Sequence, residues 1–118
     1  MRFGGKAASD SDYFNIEVAI NELLKGSFAS TADLTNVSDS AASQQLLAAN
    51  LDRRGLIIFN DSTAILYIKF GVTASTSSFT VRLTPQGVYE SGVPCYTGRV
   101  DGIWSADAAG AARISELT

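Results

Sequence analysis

From Leu34 onward the chain is a succession of short apolar alternations separated by turn residues. Leu34–Ser38 and Gln44–Ala49 are short candidate strands. Gly55-Leu56-Ile57-Ile58-Phe59 is a continuous apolar run of the buried-strand type. Asn60-Asp61-Ser62-Thr63 supplies turn chemistry, and Ala64–Phe70 then alternates, with Leu66, Ile68 and Phe70 on one face and Tyr67 and Lys69 on the other. The two runs are expected to pair as an antiparallel hairpin, closed by Gly71. Ser78–Thr84 alternates Phe79, Val81 and Leu83 against Thr80 and Arg82. Pro85-Gln86-Gly87 turns the chain into Val88-Tyr89-Glu90, Pro94 breaks the next segment, and Arg99–Ser105 and Ala111–Leu117 complete the series. About seven or eight short strands at this spacing predict a mainly β fold, an antiparallel β-sandwich or jelly-roll-like domain over residues 34–118.

Residues 1–33 read differently: an arm (residues 1–10), an amphipathic segment from Asp12 to Lys25, and a small-residue linker from Gly26 to Ala32. In the amphipathic segment Tyr13, Ile16, Ile20, Leu23 and Leu24 follow helical spacing, Asp10 or Ser11 can cap the start, and Gly26 stands where a C-terminal cap belongs. Phe14, Ile16, Val18 and Ile20 also alternate with Asn15, Glu17, Ala19 and Asn21 as a strand would. The continuation to Leu24 and the stop at a glycine favour one short amphipathic helix.

Composition narrows the function classes. The chain has 118 residues, enough for one folded domain, with a net charge of -3. It has no His and one Cys. The commonest general base and metal ligand is therefore missing, and an internal disulfide or a cysteine metal cluster is out of reach. A net acidic chain without a basic run is a poor generic binder of nucleic acid. No apolar stretch approaches the ~18 residues of a membrane span, and Met1–Lys6 has no apolar segment behind it to make a signal peptide. No enzyme activity and no cofactor is expected.

The chemistry-bearing residues carry plain readings. Cys95, flanked by Pro94 and Tyr96, has no base in its surroundings and reads as a small hydrophobe. Gly4-Gly5-Lys6 lacks the spacing and the following Ser/Thr of a phosphate loop. Asp10-Ser11-Asp12 starts like a calcium loop but fails at Phe14. Glu90, Asp101 and Glu116, on separate strands, are the candidate carboxylates for glycoside hydrolysis, and loops this short argue against a cleft. Tyr67, Tyr89, Tyr96 and Trp104 are candidates for a carbohydrate platform if they converge. Asp52-Arg53-Arg54 is the densest charge cluster, either a solvated loop or an ion-pair contact to a partner protein.

Arg53-Arg54-Gly55, Phe59-Asn60-Asp61-Ser62-Thr63, Leu66–Gly71, Ser78–Val81, Tyr96–Trp104 and Ala112–Leu117 fall in one series. This series resembles a small β-module recurring among virion structural proteins of tailed bacteriophages, and it covers a little over half the chain. The resemblance implies a structural module without an enzymatic role and carries over no site residues and no position on the particle. With an arm and an amphipathic segment ahead of the module, the expected role is a capsid decoration (cement) protein. It would be a homotrimer, made in the host cytoplasm and bound to the major capsid protein on the virion surface. Self-assembly is then expected from Tyr13, Ile16, Ile20, Leu23 and Leu24, and contact with the shell from Arg2, Phe3, Arg53 and Arg54. The alternatives are a neck, tail or fibre-base component, or a carbohydrate-binding module.

Overall fold

The computed structural model describes residues 2–3, 6–7 and 28–118. The amphipathic segment with Tyr13, Ile16, Ile20, Leu23 and Leu24 lies outside the described residues. At the start of the chain β1 (Arg2–Phe3) and β2 (Lys6–Ala7) form a two-stranded antiparallel ribbon, Arg2 opposite Ala7 and Phe3 opposite Lys6.

Eight further strands follow: β3 (Ala32–Ser38), β4 (Gln44–Leu47), β5 (Gly55–Asp61), β6 (Leu66–Phe70), β7 (Val81–Leu83), β8 (Val88–Glu90), β9 (Val100–Trp104) and β10 (Ala111–Leu117). The protein is mainly β, with two four-stranded antiparallel sheets. Sheet I runs β3-β10-β5-β8 and sheet II runs β4-β9-β6-β7. Among the described residues no helix is long and apolar enough to cross a membrane.

The pairings are nested. β6 pairs β7, β5 pairs β8, β4 pairs β9 and β3 pairs β10, with partners such as Leu66↔Leu83, Ile57↔Glu90, Gln44↔Gly102 and Ala32↔Leu117. Every pair is centred on residues 73–75, so the strands form one long folded-over hairpin whose ribbon switches between the sheets. The first and last strands are consequently neighbours.

Each sheet turns one apolar face to a shared core, as period-2 alternation requires. Sheet I contributes Leu56, Ile58, Ala112 and Ile114. Sheet II contributes Leu46, Leu47, Leu66, Ile68, Leu83, Val100 and Trp104. Complete burial stabilises by about 1.5–3 kcal/mol for each large aliphatic side chain, so this cluster is the main favourable term of the fold. Gly102 on β9 is part of the close fit. A Cβ there would sit 2.8 Å from Leu46 Cδ1 and 3.1 Å from Leu66 Cδ1. Gly102→Ala should lower the unfolding free energy in urea by about 1–3 kcal/mol, the usual cost of overpacking.

The expected β5–β6 hairpin does not form. β5 pairs with β10 and β8 in sheet I, whereas β6 pairs with β9 and β7 in sheet II. The turn residues between them build a corner that carries the chain across the core. Asn60, fully buried, donates from Nδ2 to the carbonyls of Ala64 (2.8 Å), Leu83 and Thr84 (both 3.2 Å). Its Oδ1 accepts from Ser62 Oγ (2.8 Å) and from Trp104 Nε1 (3.2 Å). Five partners, from sheet II and from the connections beside it, hold this sheet I residue at the corner, and a two-stranded turn would leave most of them unbonded.

Candidate functional site

The two arginines of the charge cluster part company. Arg53 turns inward and its side chain is fully buried, so the expected contact with a partner is corrected for this residue. Its Nε donates to Glu116 Oε2 (2.7 Å), Nη1 to the carbonyls of Tyr96 and Gly98 (both 2.9 Å), and Nη2 to the carbonyl of Ala48 (2.6 Å). One guanidinium fork thereby ties the β4–β5 loop, the β8–β9 loop and the end of β10 together. Glu116 completes the node by accepting from Asn50 Nδ2 at 3.2 Å. Arg54 is exposed, with its Nη1 3.4 Å from the carbonyl of Phe28. Arg2 and Phe3 lie on β1, away from the described sheets in sequence.

The four aromatics of the carbohydrate reading do not share a face. Trp104 is a core residue bonded to Asn60. Tyr89 and Tyr96 both pack on Phe70, Tyr89 edge-on at 5.8 Å and Tyr96 stacked at 4.6 Å, closing the margin of the core. Tyr67 stands on the outer side of sheet II against Phe79, with ring centroids 4.9 Å apart. Phe79 is thus outside the row of Val81 and Leu83 that was expected to continue through it.

The carboxylates are likewise dispersed. Glu116 is held by Arg53 at the inner side of sheet I, while Glu90 is exposed on its outer side. Asp101 is buried on the outer side of sheet II, paired with Arg99 at 2.7 Å. No two of them face each other across a cleft. Among the described residues no group of three or more metal-ligating side chains comes together. Cys95 is half-buried against the core, its Sγ 3.6 Å from the carbonyl of Tyr96.

The outer faces of the two sheets differ. Sheet II is partly roofed by its own 71–79 loop: Ala74 is buried and its N–H donates to Ser43 Oγ at 3.1 Å, and Lys69 Nζ donates to Ser78 Oγ at 2.8 Å. One outer row is polar or charged at Gln45, Asp101 and Lys69, and the next sets Ile103 and Tyr67 beside Arg82. Sheet I has no such roof among the described residues, and its outer face sets apolar side chains among Asn36, Asp61, Glu90, Arg113 and Ser115. Ile57 and Phe59 on β5 and Leu117 on β10 are half-buried, Val88 on β8 is exposed, and Leu34 on β3 is 77% exposed. The registers set Leu34, Ser115, Ile57 and Glu90 in one row across the sheet, and Asn36, Arg113, Phe59 and Val88 in the next. The continuous apolar run of β5 therefore serves both faces, with Leu56 and Ile58 in the core and Ile57 and Phe59 half-buried on the outer side.

Two shallow hollows flank Leu117 at the end of this face. One, of about 250 Å3, is lined by Arg54, Ile57, Glu90 and Val93 among others. The second, of about 210 Å3, lies between Leu117 and residues 29–32, where the N-terminal segment joins the sheet. Ser30 N donates to the Thr118 carbonyl there and Thr118 N to that of Thr31. Nothing in the sequence marks sheet I as the open one. Strand alternation reports the two faces of β5 equally, and only the tertiary arrangement shows which is covered. Comparison with known protein families, with curated proteins and with solved structures gives no match for this chain.

Proposed function

We propose that the protein is a non-enzymatic structural component of a tailed-bacteriophage virion, a capsid decoration protein that seats on the major capsid protein shell as a homo-oligomer. The observation that carries this reading is the set of uncovered apolar side chains on the outer face of sheet I, Leu34, Ile57, Phe59, Val88 and Leu117, which ends at the junction with the N-terminal segment. Uncovered apolar side chains on a sheet face, beside dispersed carboxylates, suit docking better than catalysis. We read the two sheets as a β-sandwich with jelly-roll wiring. In support, counting β3 to β10 as strands one to eight, the sheet orders become 1-8-3-6 and 2-7-4-5, as a hairpin wrapped around a core produces. That fold class is widely used for capsid building blocks, and the residue series resembling a virion β-module points the same way.

In this reading Arg54, Arg2 and Phe3 contact the shell, Arg53 serves the interior, and the apolar positions Tyr13, Ile16, Ile20, Leu23 and Leu24 supply self-assembly contacts. Quantitative mass spectrometry of purified virions, referred to the major capsid protein, tests it. Copies in proportion to the capsid protein are the expected result. Copies in proportion to the portal would move the protein to the neck or tail, and absence from the particle would overturn the proposal.

A further inference from the structure

A sheet edge presents a row of unpaired main-chain donors and acceptors, and folded proteins blunt such edges with short strands, bulges or charge. Three of the four edges here are blunted. β7 and β8 have three residues each and carry Arg82 and Glu90, and β4 is short and interrupted by a register shift between Gln45 and Leu47. The fourth, β3, is seven residues long, regular and exposed, with the sequence Ala-Asp-Leu-Thr-Asn-Val-Ser and Asp33 as its one charge. Asp39 N bonds the Gly110 carbonyl and Thr118 N bonds the Thr31 carbonyl, so the odd-numbered residues of β3 face β10. The N–H and C=O groups of Ala32, Leu34, Asn36 and Ser38 point to the free edge, where no described residue meets them.

We propose that β3 is a docking edge for β3 of a second copy of this chain, paired antiparallel about a two-fold axis. Sheet I of each copy then becomes half of one eight-stranded sheet. The occupant follows from the edge itself. Because β4, β7 and β8 are blunted, the open strand available on another copy is again β3, and antiparallel self-pairing is isologous. The sequence of β3 is self-complementary in this arrangement. With the axis at Leu34, that exposed leucine covers the partner's Leu34, Ala32 meets the partner's Asn36, and Asp33 meets the hydroxyl of the partner's Thr35. No pair sets like charges opposite each other. A single edge is small beside a standard protein interface, so the dissociation constant is expected in the micromolar range. The inference goes beyond the virion reading and holds or fails without it.

Sedimentation equilibrium of the full chain over a series of concentrations tests it, with two variants. Asn36→Pro removes an N–H that points away from β10 and leaves the β3–β10 ladder intact. Leu34→Lys places a charge of the edge-protecting kind at the axis. A wild-type dimer whose dissociation constant rises more than tenfold in both variants, with unchanged circular dichroism and thermal unfolding, is the expected result. A monomeric wild type overturns the proposal, as does a dimer or trimer that both variants leave intact, because the contact would then lie elsewhere. Because copy number in the virion is read independently, failure of the edge contact and failure of the virion assignment are distinguishable.

Discussion

Arg53→Met should destabilise the protein by about 3–5 kcal/mol, the cost typical of removing one partner from a buried ion pair. The guanidinium is enclosed, and its loss strands the Glu116 carboxylate together with the carbonyls of Ala48, Tyr96 and Gly98. Methionine retains the stem and the apolar packing, so the deficit reports the polar node and not an empty cavity. Arg53→Lys should recover only part of it, because an ammonium cannot fan its donors into a planar fork toward four acceptors. Urea unfolding measures the change, and the thermal midpoint should fall by more than about 10 °C. The neighbouring Arg54→Ala is the control. Its side chain is exposed and makes one long bond, so stability should move by no more than about 0.5 kcal/mol. Equal effects at the two positions would contradict the inward placement of Arg53.

The second large effect is expected at the corner between the sheets. Asn60→Asp keeps the shape of the side chain and replaces the Nδ2 donor, which serves the carbonyls of Ala64, Leu83 and Thr84, by an acceptor. Three carbonyl oxygens then face a carboxyl oxygen in a site with no solvent exposure. Leaving a buried charge without compensation costs several kcal/mol, so a loss of at least about 3 kcal/mol at neutral pH follows. Trp104 offers an internal reporter, since its Nε1 donates to the other oxygen of the same side chain. Its fluorescence should follow the unfolding transition to lower urea. The sign with pH is also fixed: the introduced carboxyl is tolerated better when protonated, so acidification should restore part of the lost stability relative to wild type. A variant as stable as wild type at neutral pH would show that the corner does not depend on this amide.

These two nodes also show where local reading stops. Of the turn residues Asn60-Asp61-Ser62-Thr63 the second pair breaks β5 from β6 while Asn60 and Asp61 still belong to β5, and sequence proximity favours a hairpin that does not form. The alternative became preferable only because Leu83, Thr84 and Trp104 arrive from strands more than twenty residues away to bond the same side chain. Arg53 and Arg54 looked equivalent because they are adjacent and alike in charge. What distinguishes them is a set of four acceptors, three of them supplied by residues 43 to 63 positions further along the chain. Trp104, one of four candidate platform aromatics, proved to be core for the same reason, since convergence on one face is a property of pairing and not of composition.

The sequence alone determined the mainly β class, the positions of β5, β6, β8, β9 and β10 to within a residue or two, and the division of β6 into Leu66, Ile68 and Phe70 against Tyr67 and Lys69. Alternation with a period of two is a local signal, and each strand carries it whatever its neighbours are. The tertiary structure decided which strands pair, which arginine is internal, and that sheet I keeps uncovered apolar side chains and an open β3 edge. Those outcomes depend on the nested register about residues 73–75, in which each residue's partner lies at a different distance along the chain. Burial is won or lost only after that register closes, so it leaves no mark on any short window of the sequence.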